Sequence, residues 1–224
     1  MSPVELALSW SGGKDSALAL RALRAASGPA VGALITTVTG DYERVSMHGV
    51  RRELLVAQAL AAGVPLVEIE IPAGCSNEEY ERRMGHALAH SPLRETQAIA
   101  FGDLFLSDIR AYREERLSRV GKTAMFPLWE RDTRLLAEEF IEAGFQAFLV
   151  CVDPAQLDRS FAGRPFDRQL LEDLPPEVDP CGENGEFHTF VHRGPIFSHP
   201  ISCTRGEVVE RGGFVFCDLL PADA

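Results

Sequence analysis

Apolar and polar positions follow two textures along this 224-residue chain. Through the first two thirds, short apolar runs alternate with longer stretches whose apolar residues recur every three or four positions. The runs at 4–9, 30–37, 65–71, 98–102 and 145–152 predict buried strands, and 123–126 predicts a further short one. The stretches 15–26, 47–62, 77–88, 107–120 and 133–143 predict helices. Gly63 is placed to end the second helix and Asn77 to cap the third, whose first turn is acidic. This order predicts an α/β fold, a Rossmann-like parallel sheet with helices on both faces. Ligands in such folds gather at the carboxyl ends of the strands. Attention therefore goes to residues 9–16, 36–41, 72–77, 102–108 and 153.

Beyond residue 153 helical periodicity weakens, and Gly, Pro and aromatic residues increase. A short helix is expected within 160–174, and strands at 186–191, 194–197 and within 207–219. The expected division is a domain over 1–152 and a small C-terminal α+β domain over 153–224.

Composition narrows the partners. The net charge of −11 argues against a nucleic acid or an anionic membrane, because phosphate backbones need basic patches. A small anion needs only a local site. Five scattered cysteines without a C-x-x-C pair read as reduced thiols in a cytoplasmic protein. The N-terminus lacks a signal-peptide pattern, and no apolar run is long enough to span a bilayer. Of 22 basic residues only Lys14 and Lys122 are lysines, a bias that fits a GC-rich bacterial genome. Oligomeric state is open, with a homodimer carried as an expectation.

Lys14 stands in the sharpest motif, Ser11-Gly12-Gly13-Lys14-Asp15-Ser16, between the first strand and the first helix. It reads as a phosphate cradle. The glycines let the backbone turn and approach a ligand closely. A helix start offers unpaired N–H groups and the positive end of a dipole. Ser11 and Ser16 add hydroxyls, and Lys14 adds a charge. Asp15 is sensible beside phosphate if it holds Mg²⁺. A Walker A loop fails, because Asp15 follows the lysine and Ser9 stands where a glycine is required; a G-x-G-x-x-G loop fails for want of spacing. A plain capped strand-to-helix turn is the structural alternative.

SGGKDS resembles the S-G-G-x-D-S signature of the PP-loop ATP pyrophosphatases, which split ATP between its α- and β-phosphates. Arg44-Val45-Ser46-Met47-His48-Gly49, Ala100-Phe101-Gly102-Asp103 and Cys181-Gly182-Glu183-Asn184-Gly185-Glu186-Phe187 resemble the diphthine–ammonia ligase group within them. Where those ligases carry G-E-G-G-E-Y-E-T, this chain has Asn184, Phe187 and His188 in place of Gly, Tyr and Glu. The change falls in the region expected to choose the substrate.

The resemblance implies an ATP- and Mg²⁺-dependent ligase. A substrate carboxylate would attack the α-phosphorus to give an acyl-adenylate and pyrophosphate, and ammonia or an amine would displace AMP. It implies ATP binding by Ser9, Ser11, Gly12, Gly13, Lys14, Asp15 and Ser16, with Lys14 and Asp15 catalytic. Thr36 and Thr37 would hold adenine through backbone groups, and His48 would touch phosphate or ribose. Gly102 would permit close ligand approach, and Asp103 would join Asp15 at the metal. Arg110, Arg113, Glu114, Glu183, Asn184, Glu186 and His188 are candidates for the unidentified carboxylate substrate and its amine. Arg110 and Glu114, four apart on a helix, also suit an ordinary ion pair. Glu183, Glu186, His188 and Cys181 could instead mimic a metal site. The competing readings are a nucleotide sensor without turnover and a tRNA-thiolating relative using Cys181.

Overall fold

The computed structural model describes residues 5–40, 44–45, 49–90 and 92–222. Its first sheet has five parallel strands: β1 (Leu6–Ser9), β2 (Val31–Thr39), β4 (Leu66–Ile71), β5 (Ala98–Ala100) and β6 (Thr123–Met125). The pairings give the order β4-β2-β1-β5-β6. A two-residue strand, β3 (Arg44–Val45), lies antiparallel to the end of β2, where the sequence offered no strand signal. Alternation along the strands sorts the core into two faces. Leu6 and Leu8 pack with α1 (Lys14–Ala25), α2 (Arg52–Ala62) and α5 (Thr133–Glu142). Ala7, Ile35 and Ile99 pack with Leu88 of α3 (Asn77–Ala89) and Leu117 of α4 (Ser107–Ser118) on the other face.

Local chemistry sets the helix ends. Gly63 closes α2 in the left-handed conformation, as its type allows. The cap of α3 is Ser76, whose hydroxyl accepts from Glu79 N–H at 3.2 Å; the expected Asn77 is already the first helical residue. α2 begins at Arg52, five residues later than periodicity predicts. The second lysine has a structural task. Lys122 Nζ donates to the carbonyls of Leu93, Arg94 and Thr96 at 3.1, 3.0 and 2.6 Å, pinning the turn before β5.

The second sheet is antiparallel, in the order β8-β7-β10-β9, from β7 (Gln146–Val152), β8 (Phe187–Arg193), β9 (Cys203–Arg211) and β10 (Phe214–Pro221). β7 ends at the boundary expected at residue 152 but pairs with strands that lie beyond it. A doubly buried apolar run fits either kind of sheet, so its sequence foretells burial but not its partner. The strand expected at 194–197 is a turn, closed by Phe197 N–H donating to Gly194 O. The helix expected within 160–174 is a short α6 (Arg168–Asp173), capped by Asp167.

The two sheets meet at the first strand-to-helix turn. Gln58, fully buried on α2, accepts from Trp10 Nε1 at 3.0 Å and donates to Gly12 O at 2.9 Å and Val191 O at 2.6 Å. Gly12 (φ 78°) has no room for a side chain, since a Cβ would lie 2.7 Å from Gln58 Oε1. Replacing Gln58 by Leu orphans the Trp10 N–H and the Val191 carbonyl in a buried setting. That substitution is expected to lower unfolding stability by about 2–4 kcal/mol in chemical denaturation, and a loss below about 1 kcal/mol would contradict this role.

Candidate functional site

At the carboxyl end of β1 the chain turns through Ser11–Gly13 into α1. Gly13 is the N-cap residue and supplies no side-chain cap. Ser11 Oγ accepts from Gly13 N–H at 3.2 Å, and Ser16 Oγ donates back to Gly13 O at 2.9 Å. This turn forms one wall of a cavity of about 230 Å³. From the first sheet the cavity receives Ser9, Ser11, Gly13, Lys14, Asp15, Ser16, Gly102, Asp103 and Arg113. From the C-terminal unit it receives Glu183, His188 and Thr189, together with Gly182 and Gly185.

Lys14 is 2% exposed. Its ammonium donates to both Asp15 carboxylate oxygens at 2.9 Å and to the carbonyl of Cys181. Burial works against that charge, but Asp15, with Cys181 and Glu183, more than offsets it and the Lys14 pKa is raised. Asp103 is held by Arg113 at 2.6 Å, and the guanidinium lies 4.2 Å from the centre of the Phe101 ring. Gly102 lines the cavity and also lets the α1 backbone come close: a Cβ there would stand 2.9 Å from the Asp15 carbonyl carbon.

The segment 179–186 is fixed by Asp179 and Glu186. Asp179 Oδ2 accepts from the N–H groups of Cys181 and Glu183, both at 3.0 Å. Glu186, 2% exposed, accepts from Asp179 N–H at 2.9 Å and Asn184 Nδ2 at 3.0 Å. These braces aim Glu183 at the cavity, where it accepts from Leu104 N–H at 2.7 Å. Burial raises its carboxyl pKa to about 7, against the pull of the Leu104 N–H and with help from Asp15. His188 is pushed down to about 4, by burial and then by Lys14, so its imidazole is neutral near pH 7. Burial also holds the Cys181 thiol protonated, and its Sγ donates to Thr133 O at 3.3 Å. A protonated thiol is a poor nucleophile.

Several expected residues lie elsewhere. Arg110 pairs with Glu114 at 2.8 Å and stacks over Phe126 and Trp129, the bland alternative for that pair. Asn184 is exposed and Glu186 is a brace, so neither lines the cavity. Glu186 and His188 do not share a metal site: among the described residues no three His, Cys, Asp or Glu side chains are grouped to hold an ion. Thr36 is buried, and its hydroxyl has no hydrogen-bond partner among the described residues. Thr37 is half-buried at the same strand end, and neither threonine lines the cavity. His48 lies outside the described residues. Sequence reasoning missed Asp179, Gln58 and Thr189. For Asp179 the signal was an Asp-Pro followed by Cys-Gly, a turn former two residues before a glycine; buried Gln58 and Thr189 carry no local signal.

Beside this cavity, and sharing Ser9, Phe101 and Arg113 with it, a second cavity of about 210 Å³ opens between the sheet and helices α3 and α4. It is mostly apolar, lined by Ile35, Met84, Leu88 and Ile99 among others. No helix among the described residues is long and apolar enough to cross a membrane.

Two family models divide the chain between them. Residues 4–124 match the diphthamide synthase N-terminal domain, and residues 132–218 match the diphthamide synthase C-terminal domain. Curated relatives carry the name diphthine–ammonia ligase. The Schizosaccharomyces pombe protein is 29% identical over 146 residues, 63% of this chain and 24% of that protein. The Bos taurus protein is 30% identical over 131 residues, 56% of this chain and 49% of that protein. The human protein is 27% identical over 192 residues, 80% of this chain and 70% of that protein. This chain thus spans between a quarter and a half of the first two relatives' length. With both domain models matched in order, and with the SGGKDS turn and the CGENGEF segment on one cavity, the chain belongs to the diphthamide synthase family.

Proposed function

We propose that this protein is an ATP-dependent, carbon–nitrogen bond-forming ligase that splits ATP into AMP and pyrophosphate. The observation that carries the reading is the single cavity on which the Ser11–Ser16 turn faces Glu183 and His188 of the C-terminal unit. A sensor needs a nucleotide site alone. Here a second wall of titratable groups stands opposite the phosphate cradle. The protonated Cys181 weighs against sulfur transfer.

In this reading N–H groups of the first turn of α1 beyond Lys14, whose own N–H is held by Thr189, would receive the phosphates. Lys14 would exchange its contacts with Asp15 and Cys181 O for the departing pyrophosphate. The backbone of Thr36 and Thr37, next to Ile35 on the apolar cavity, would receive the adenine. Asp15 and Asp103, two carboxylates on one cavity wall, are a donor set that Mg²⁺ takes when it also binds phosphates; the ion would neutralise phosphate charge. The protein's contribution is positioning and charge stabilisation.

The acceptor would be a diphthine-type carboxylate with ammonia as the amine, following the names of the relatives. Phe187 and the neutral His188 at the cavity, with the exposed Asn184, are where this chain departs from the ligase pattern, so they are the places where its substrate would differ. A cytoplasmic site of action would suit cysteines that form no disulfide among the described residues. Glu183 would stand near the amine as the carboxyl able to exchange a proton close to neutrality.

Product analysis tests the reading. With a carboxylate acceptor and an ammonium salt, ATP is expected to yield AMP and pyrophosphate; ADP and phosphate would overturn it. Glu183 gives a pH test. Its folded pKa of about 7 exceeds the ordinary 4.5, so between those values the folded chain keeps a proton that the unfolded chain has lost. Stability therefore falls as pH rises through that window, and the penalty is complete above it. Glu183→Gln removes the penalty while keeping an acceptor for Leu104 N–H. Thermal melts should show it more stable than wild type at about pH 8, with the advantage shrinking to nothing by about pH 4.5. An advantage independent of pH would contradict the assignment.

A further inference from the structure

The helix that carries the phosphate cradle begins at a residue with no side chain to cap it. Gly13 is the N-cap of α1, and the usual hydroxyl or carboxylate is missing there. The missing acceptor comes from the other sheet. Thr189 Oγ1, on β8, accepts from Lys14 N–H at 3.0 Å, across 175 positions of sequence. Thr189 is 3% exposed and lines the cavity. Its neighbourhood is equally close: a Cβ on Gly13 would lie 3.0 Å from Thr189 O and 3.3 Å from Thr189 Oγ1. One residue pair further on, Val191 N–H donates to Gly12 O at 2.9 Å. The turn therefore lies along β8, and its glycines are what let β8 come so near.

We infer that Thr189 is a positioning residue for the reaction: its hydroxyl caps α1 from the C-terminal unit and thereby sets where Lys14 presents its ammonium. The inference rests on the ligase reading above and adds to it a residue outside the cradle motif. The main-chain N–H and the ammonium of Lys14 are both taken by the C-terminal unit, the first by Thr189 Oγ1 and the second by Cys181 O. Glycine at the cap leaves the first turn free to shift unless something outside the helix holds it.

The test compares Thr189→Val, which keeps the shape and loses the acceptor, with Thr189→Ser, which keeps the acceptor. Pyrophosphate release and the hydrogen exchange of the Lys14 amide are measured on the full chain. Thr189→Val is expected to lower kcat by about ten- to a hundredfold with the KM for ATP changed by less than about threefold. Its Lys14 amide is expected to exchange faster than in wild type. Thr189→Ser should stay within about threefold of wild-type kcat and keep the slow exchange. Unchanged kcat in Thr189→Val, or equal loss in Thr189→Ser, would overturn the positioning role. Unaltered Lys14 exchange in Thr189→Val would overturn the cap itself while the ligase reading stood. Wild-type protein that binds ATP but releases no pyrophosphate would overturn the reaction and the positioning role together, whatever the exchange showed.

Discussion

The structure turns on the contact between one glycine-rich turn and one strand. Gly12, Gly13 and Lys14 lie against Thr189 and Val191 of β8, joined by main-chain and hydroxyl hydrogen bonds and clamped by the buried Gln58. A side chain on Gly12 or Gly13 would press into Gln58 or Thr189. The glycines thus serve protein–protein fit at least as directly as ligand approach. Because the turn is held on both sides, the helix start, Lys14 and the Glu183 loop keep fixed places around one cavity. A short surface loop by itself would not keep them there.

The acidic surface does not conflict with an anionic ligand at such a site. A charge of −11 is spread over the whole chain, whereas the proposed cradle would act over a few ångströms through main-chain N–H groups and one lysine. Lys14 keeps its charge despite burial because Asp15 touches it and Cys181 and Glu183 add to the negative surroundings. The same burial drives Glu183 up and His188 down, so on the C-terminal wall Glu183 is about half protonated and His188 is neutral near pH 7. Desolvation is what distinguishes this wall from the exposed pairs on α4, where Arg110 and Glu114 meet each other in water.

Much of the fold was legible because strands and helices differ in period. The alternation through residue 143 placed β1, β2, β4, β5 and β6 and the helices between them to within a few residues, apart from the late start of α2. What failed was pairing. The run at 145–152 reads as buried in either sheet, and only the fold shows that it belongs with β8 and β10. The SGGKDS turn stood out because an ordinary strand-to-helix turn needs neither a lysine nor an aspartate beside its glycines. Asp103, Arg113, Glu183 and His188 do reach its cavity. Arg110, Glu114, Asn184 and Glu186 do not, since spacing along a helix or strand gives a face but not what the face meets. Gln58 and Thr189 gave no signal at all: each looks like an ordinary polar residue in an element, and its importance comes from partners at least 46 positions away.

The central claim is that both units form a single nucleotide site through this contact. Hydrogen–deuterium exchange of the full chain, with and without ATP and Mg²⁺, tests it most directly. The account predicts slower exchange on nucleotide addition in two segments together, residues 11–17 at the start of α1 and residues 181–191 leading through β8. Protection confined to the first segment, with 181–191 unchanged, would contradict it.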